Sequence, residues 1–291
     1  MSMDRSDWRN VNFYDGATGA HLGGVRQNGS ITQANFFHML TNVLLVVDAP
    51  ISIRFRGTNV LMQSNTDPLA AGDYNIFCAQ GTISLSDERC VRRVQSRSRS
   101  GHENAFRDSV RARDRMCVLT GVVTPGLTPS DWVGFEAAHI FPLERQQLWS
   151  DCNFNRSITR PGINPMNSVQ NGILISATVH SLFDNFLVSA NPDDGYKITD
   201  FSRNIWNLDG RVLDFVCRDP NNPDHIADEL LRWHFRQSVL ANMKGAGEPT
   251  FEADFPPGTD MMKQIMEGPI PAERLEVEFA SRLKPQEDWA F

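Results

Sequence analysis

In FEAAHIF (135–141) apolar and polar residues alternate, so the segment reads as a strand that delivers His139 to its end, where Pro142 stops it. Ile173, Leu174 and Ile175 form a second short apolar strand, and Ser176 is a suitable N-cap for a helix running from Ala177 to Asn185. On that helix Val179, Leu182, Phe183 and Phe186 take the core side. His180 and Asp184, one turn apart, are left on the other face with Cβ atoms about 5–6 Å from each other. Two strands and a helix that carry a His, an Asn at 171 and a His/Asp pair outline a small metal site.

What surrounds this unit follows from charge and turn signals. The chain has 291 residues and a net charge of −7, which excludes a protein that coats nucleic acid over its whole surface. The charge is uneven, however: residues 89–115 hold nine basic and three acidic side chains. This stretch begins as a Ser/Arg-rich linker and ends in a predicted helix from Glu103 to Asp114, which marks a domain boundary. Residues 1–88 before it read as a small β-rich accessory domain. There Ile51, Ile53 and Phe55 alternate with polar residues, and YNIFC and TISL are short strand-like runs. One helix, about Thr32 to Asn42, is expected to pack on them.

Residues 203–291 read as a mostly helical extension. A long helix is expected from His225 to Met243, capped by Asp224 and stopped by Gly245. A short helix near Met261 to Met266 and another opened by Pro271, with Leu275, Phe279 and Leu283 on one face, complete it. His225 and His234 lie nine apart, which is not ligand spacing, and both are expected in surface or core roles. The five cysteines include no C-x-x-C pair, so neither a disulfide framework nor a four-cysteine zinc site is indicated. No apolar run approaches the roughly 20 residues of a membrane span, and the first ten residues lack the apolar stretch of a secretory signal. These features lead us to expect an intracellular protein, nuclear or cytoplasmic.

Residues 117–201 contain CVLTG, AHIFP, NGIL and HSLFD in that order. In this pattern the chain resembles the HNH nuclease family, most closely its fungal-type branch. The resemblance implies an α+β protein in which residues 116–202 form a ββα-metal domain, and it implies a metal-dependent DNA endonuclease. By the same resemblance His139 is the general base, an imidazole being suited to proton transfer near neutral pH. Asn171, at the family's middle position, supports the loop that orients His139. His180 and Asp184 would hold one divalent cation, and so open a site suits magnesium or manganese, with zinc as the alternative.

One position departs from the wider family, where a second His or an Asp often precedes the base as a metal ligand; here it is Ala138. Glu136, two residues earlier on the same strand face, is a candidate to complete the shell. The departure keeps a second reading open, an HNH-derived scaffold that no longer cuts and serves in binding, protein interaction or unrelated small-molecule chemistry. In the basic stretch Arg107, Arg111 and Arg115 recur at helical spacing and could face the phosphates of a duplex, fixing position without reading bases. Cys117 is expected to be a buried hydrophobe, and Trp132, Trp149 and Trp206 to be core residues rather than base-stacking ones.

Overall fold

Thr32 starts the first helix with a reciprocal cap. Its hydroxyl accepts the Asn35 N–H at 3.1 Å while the Asn35 side chain accepts the Thr32 N–H at 3.1 Å. In this computed structural model, which describes residues 5–91, 93, 101–162, 164–248, 260–267, 271, 272 and 275, the first part of the chain runs β1 (Val11–Asp15), β2 (His21–Val25), α1 (Gln33–Met39), β3 (Leu45–Val47), β4 (Ile51–Phe55), β5 (Gly72–Cys78) and β6 (Ile83–Leu85). A wide turn at Leu40–Leu44 prolongs α1. Four strands form one sheet in the order β2-β1-β5-β4, in which β1 and β5 are parallel and the other pairs antiparallel. α1 lays Phe36 and Met39 on that sheet, where Phe36 meets the rings of Phe13 and Tyr74.

The remaining elements are α2 (Gly101–Asp114), β7 (Phe135–His139), α3 (Gln146–Asp151), β8 (Gly172–Ser176), α4 (Ala177–Asp184), β9 (Val188–Asn191), β10 (Lys197–Asp200), α5 (Asp228–Met243) and α6 (Met261–Met266). β7 and β8 pair antiparallel, with His139 opposite Gly172. β9 and β10 form a second antiparallel pair. The protein is therefore α+β. The helix opened by Pro271 lies mostly outside the described residues.

Two large apolar cores and a smaller one of Phe106, Val110, Val169 and Leu174 carry the packing among the described residues, and α5 belongs to both large ones. Its Leu230, Leu231, Trp233 and Ala241 join the core of β7, β8 and α4, while Phe235, Val239, Leu240 and Met243 join the core under the N-terminal sheet. α5 is thus a wall shared by the two cores. Gly23 permits this junction, because a Cβ there would stand 1.9 Å from the Met243 carbonyl oxygen and the residue has φ +155°. Among the described residues no helix is long and apolar enough to cross a membrane.

The start of α5 differs from the expectation. It begins at Asp228, and Ala227 is the N-cap without a side-chain hydrogen bond. His225 lies in the preceding turn, donating its N–H to Asn222 at 3.0 Å, and the Asp224 carboxylate turns to Arg160 at 3.5 Å instead of capping the helix. Of the three tryptophans, Trp149 is a core residue, whereas Trp132 is half-exposed and Trp206 is exposed. Cys117 is fully buried.

Candidate active site

β7 ends at His139 because the next residues, Ile140 and Phe141, turn into the core and are fixed there by Asn171. The fully buried Asn171 accepts the Phe141 N–H at 2.8 Å and donates to the carbonyls of Phe141 at 3.1 Å and Met166 at 2.8 Å. Its own carbonyl accepts the Ile140 N–H. An amide is the one short side chain that can both accept and donate in this way. Asn171 thus clamps the loop beyond His139 through the backbone of Phe141 and Met166.

The His139 ring is held by residues from outside the strand pair. Phe106 of α2 stacks on it with centroids 3.8 Å apart and planes inclined by 7°. Gly172, its partner in register, makes room for this, since a Cβ there would come within 2.6 Å of Phe106 and Val110. The His139 Nε2 lies 3.1 Å from Asn167 Oδ1. With that oxygen as acceptor, Nε2 carries the proton and Nδ1 keeps the free lone pair. Burial pushes the imidazole pKa down to about 3, against the Asn167 hydrogen bond, and nearby Arg93 acts in the same direction as burial. The ring is therefore neutral at pH 7, held well below the near-neutral value expected from its residue type.

On α4, Val179 and Phe183 face the core, and His180 and Asp184 share the opposite flank as expected. His180 Nε2 stands 3.2 Å from Asp184 Oδ2, and its Nδ1 hydrogen-bonds to Glu136 of β7. Burial alone would lower the His180 pKa, but Asp184 and Glu136 together carry it above the ordinary value. The Asp184 carboxyl is held below its usual range: burial opposes ionisation, and Arg93 and His180 overcome it. Asp184 Oδ1 is buried without a hydrogen bond. Among the described residues no three His, Cys, Asp or Glu side chains converge as a ready-made cage for an ion. What is present is a pair, with Glu136 bonded behind the histidine. Ala138, 1% exposed, points its methyl into the main core, so that position has left the polar cluster altogether.

The arginines of α2 separate. Arg111 lies over the Trp132 ring, 4.7 Å from its centroid, and with Arg115, Leu127 and Pro125 it lines a cavity of about 360 Å³. Arg107 is exposed and paired with Asp108 at 2.9 Å. Arg113, which spacing did not single out, is buried against Asp114. His225 is bonded to the Asn222 carbonyl at 2.7 Å. His234 is fully buried, stacked on Phe183 at 3.6 Å and bonded to Ser189 and to the Phe183 carbonyl.

Three residues at the site lie outside the motif block or carry no motif signal: Arg93, Phe106 and Asn167. Phe106 and Val110 form an i, i+4 apolar pair that marks a buried face of α2, which is a readable sign of packing. Asn167 sits in a turn opened by Asn164 and Pro165, where only the turn is legible. Arg93 is one arginine among many in a basic stretch, and nothing in its spacing distinguishes it.

The half-buried His139 links stability to pH. A histidine whose folded pKa is depressed leaves the unfolded chain binding more protons, so stability present above about pH 6.5 is lost as pH falls towards the folded value of about 3. With a folded value of about 3, this residue would account for a loss of up to about 2 kcal/mol between pH 7 and pH 5. His234, held well below its ordinary value by burial, adds a loss of the same sign, and His180, held above it, one of the opposite sign. Urea denaturation of His139→Ala should isolate the first contribution: the loss from pH 7 to pH 5 shrinks by up to about 2 kcal/mol relative to the parent. An equal loss in both proteins would show that the ring titrates normally.

Two antiparallel strands followed by a helix, with a histidine at the end of the first strand and a His/Asp pair on the helix, make up a ββα unit. Residues 117–191 match the family model described as HNH endonuclease, which supports an HNH-type domain in this part of the chain. Residues 8–83, the N-terminal sheet, match a model described only as a domain of unknown function. No curated protein and no solved structure matches the chain.

Proposed function

We propose that the protein is a divalent-ion-dependent DNA endonuclease in which His139 is the general base and His180 and Asp184 hold the ion. The observation that carries this reading is the His180 Nε2–Asp184 Oδ2 pair, 3.2 Å apart on the helix that packs against the base-bearing strand, with Asp184 Oδ1 buried without a hydrogen bond and facing Arg93 at 3.2 Å. A buried ionised carboxylate needs positive partners; Arg93 supplies one, and an ion held between His180 and Asp184 would supply another. When bound, the cation would supply positive charge to the scissile phosphate and to the leaving oxygen.

The chain's own residues do the rest. Neutral His139 has Nδ1 free to take the proton of the attacking water, while Asn167 fixes the tautomer through Nε2. Its low basicity rises when a phosphate dianion or monoanion comes near, since an adjacent negative charge favours the protonated ring. Glu136 accepts the Nδ1 proton of His180, which leaves Nε2 as the donor towards the ion and fixes the ring's orientation. Glu136 is therefore a positioning residue in this reading and not a third ligand. Arg111 and Arg115 offer positive charge around a cavity that Leu127 also lines, a surface suited to phosphate contact with a duplex backbone.

The second reading, a scaffold that binds without cutting, draws on Ala138, whose place in the core removes one customary ligand. Calorimetric titration of manganese separates them. His180→Ala and Asp184→Ala should each weaken binding by at least about tenfold, and Glu136→Ala by about 10–100-fold, whereas His225→Ala leaves it unchanged. Equal affinities across all four variants would place the ion elsewhere and favour the scaffold.

A further inference from the structure

Arg93 lies outside the ββα unit and yet ends inside its site. Its side chain is only 6% exposed. Nη1 donates to the Ile140 carbonyl at 3.1 Å and Nη2 to the His139 carbonyl, so the guanidinium grips the end of the strand that bears the base. Its carbon stands 5.6 Å from the ring centre of Phe183 and 6.0 Å from that of Phe186, which wall it in on the α4 side. Nη2 is also 3.2 Å from Asp184 Oδ1, an ion pair without hydrogen-bond alignment, because its donors are directed at the two carbonyls.

Taking His180 and Asp184 as the ion's ligands, we propose that Arg93 is a counter-cation built into the site, a positioning residue that ties the His139 strand to α4 and competes electrostatically with the divalent ion for Asp184. Hydrogen bonds to two successive carbonyls fix the guanidinium, so it cannot simply swing away when an ion arrives. A divalent ion on the Asp184 carboxylate would stand within a few ångströms of this fixed positive charge. Repulsion at that distance weakens ion binding relative to a site that is neutral at position 93. By linkage the effect is reciprocal: whatever Arg93 costs the ion, the ion costs the seat of Arg93. Arg93 touches the backbone of His139 and not its ring, so its influence on the base passes through strand position and charge.

Manganese titration of the full chain tests this with Arg93→Gln, Arg93→Lys and Asp184→Ala beside the parent. Arg93→Gln should bind manganese about tenfold more tightly, and Arg93→Lys, which keeps the charge, should stay within about twofold of the parent. Cleavage should nevertheless slow in both, since neither side chain reproduces the rigid fork by which the guanidinium holds the two carbonyls. Should Arg93→Gln fail to fold, hydrogen exchange in the parent gives the same answer: saturating manganese should speed exchange at the Arg93 amide. If the parent binds manganese, Asp184→Ala loses it and Arg93→Gln binds no more tightly, the counter-cation role is overturned while the ion site stands. Exchange at Arg93 that is unchanged or slower with manganese also overturns it. If neither the parent nor Arg93→Gln binds manganese, the ion site itself falls and this role with it.

Discussion

Replacing His139 by alanine is expected to abolish ion-dependent DNA cleavage, lowering kcat by about 10²–10⁴-fold with little change in DNA affinity, because a base acts only in the chemical step. The expectation rests on position as much as on residue type. The ring is neutral at pH 7, stacked on Phe106 and oriented by Asn167, with electrostatic contact to Asp184 and His180. Its removal takes away one stacking contact and one hydrogen bond at the end of β7 while leaving the Asn171 clamp intact. Far-ultraviolet circular dichroism should therefore be that of the parent. Cleavage at the parent's rate would mean that another group, or hydroxide delivered by the ion alone, performs the proton transfer.

The largest expected effect on stability lies one layer beneath the site. Arg113 and Asp114 form a two-point ion pair at 2.6 and 2.9 Å, with side chains 2% and 0% exposed. Arg113 also donates to the carbonyls of Val169, Gly172 and Asp224, and Asp114 accepts the Leu174 N–H, so the pair pins α2 to the first half of β8. Burial raises the Asp114 carboxyl pKa, and the arginine works against that rise. Arg113→Ala leaves a buried carboxylate and three carbonyls without their partner, and should cost about 3–5 kcal/mol. That is a large share of the roughly 5–15 kcal/mol by which a domain is stable. The double variant Arg113→Ala, Asp114→Ala should lose less than the single one, because the stranded charge is gone. Denaturant unfolding of both decides it. A double variant less stable than Arg113→Ala would show that the pair contributes net stability rather than mutual compensation.

How much of this was legible beforehand depends on the range of each interaction. The β7, β8 and α4 unit could be read directly: alternation marks β7, the Ile-Leu-Ile run marks β8, and the spacing of Val179 and Phe183 sets which flank His180 and Asp184 share. Local chemistry of this kind survives folding because the same residues make and use the structure. The long helix shows where it fails. Asp224 is a good cap in isolation, yet its carbonyl is taken by Arg113 and its carboxylate faces Arg160, so the helix waits until Asp228. Arg93, Phe106 and Asn167 were invisible as site residues for the same reason: each reaches the site through tertiary contacts across a long stretch of chain. The parallel pairing of β1 with β5 is likewise non-local, and no turn signal announces it. Ala138 was legible as a departure, but only its burial beside Ile173 and Cys117 shows that the position now serves packing.

The most direct test is nicking of supercoiled plasmid by the full-length protein after dialysis against a chelator, with and without added magnesium or manganese. The account predicts conversion to open circles when either ion is restored, none in its absence, and none from His139→Ala or Asp184→Ala under the same conditions. Intact supercoiled DNA at every ion concentration, from a protein that is folded and binds manganese, would contradict it.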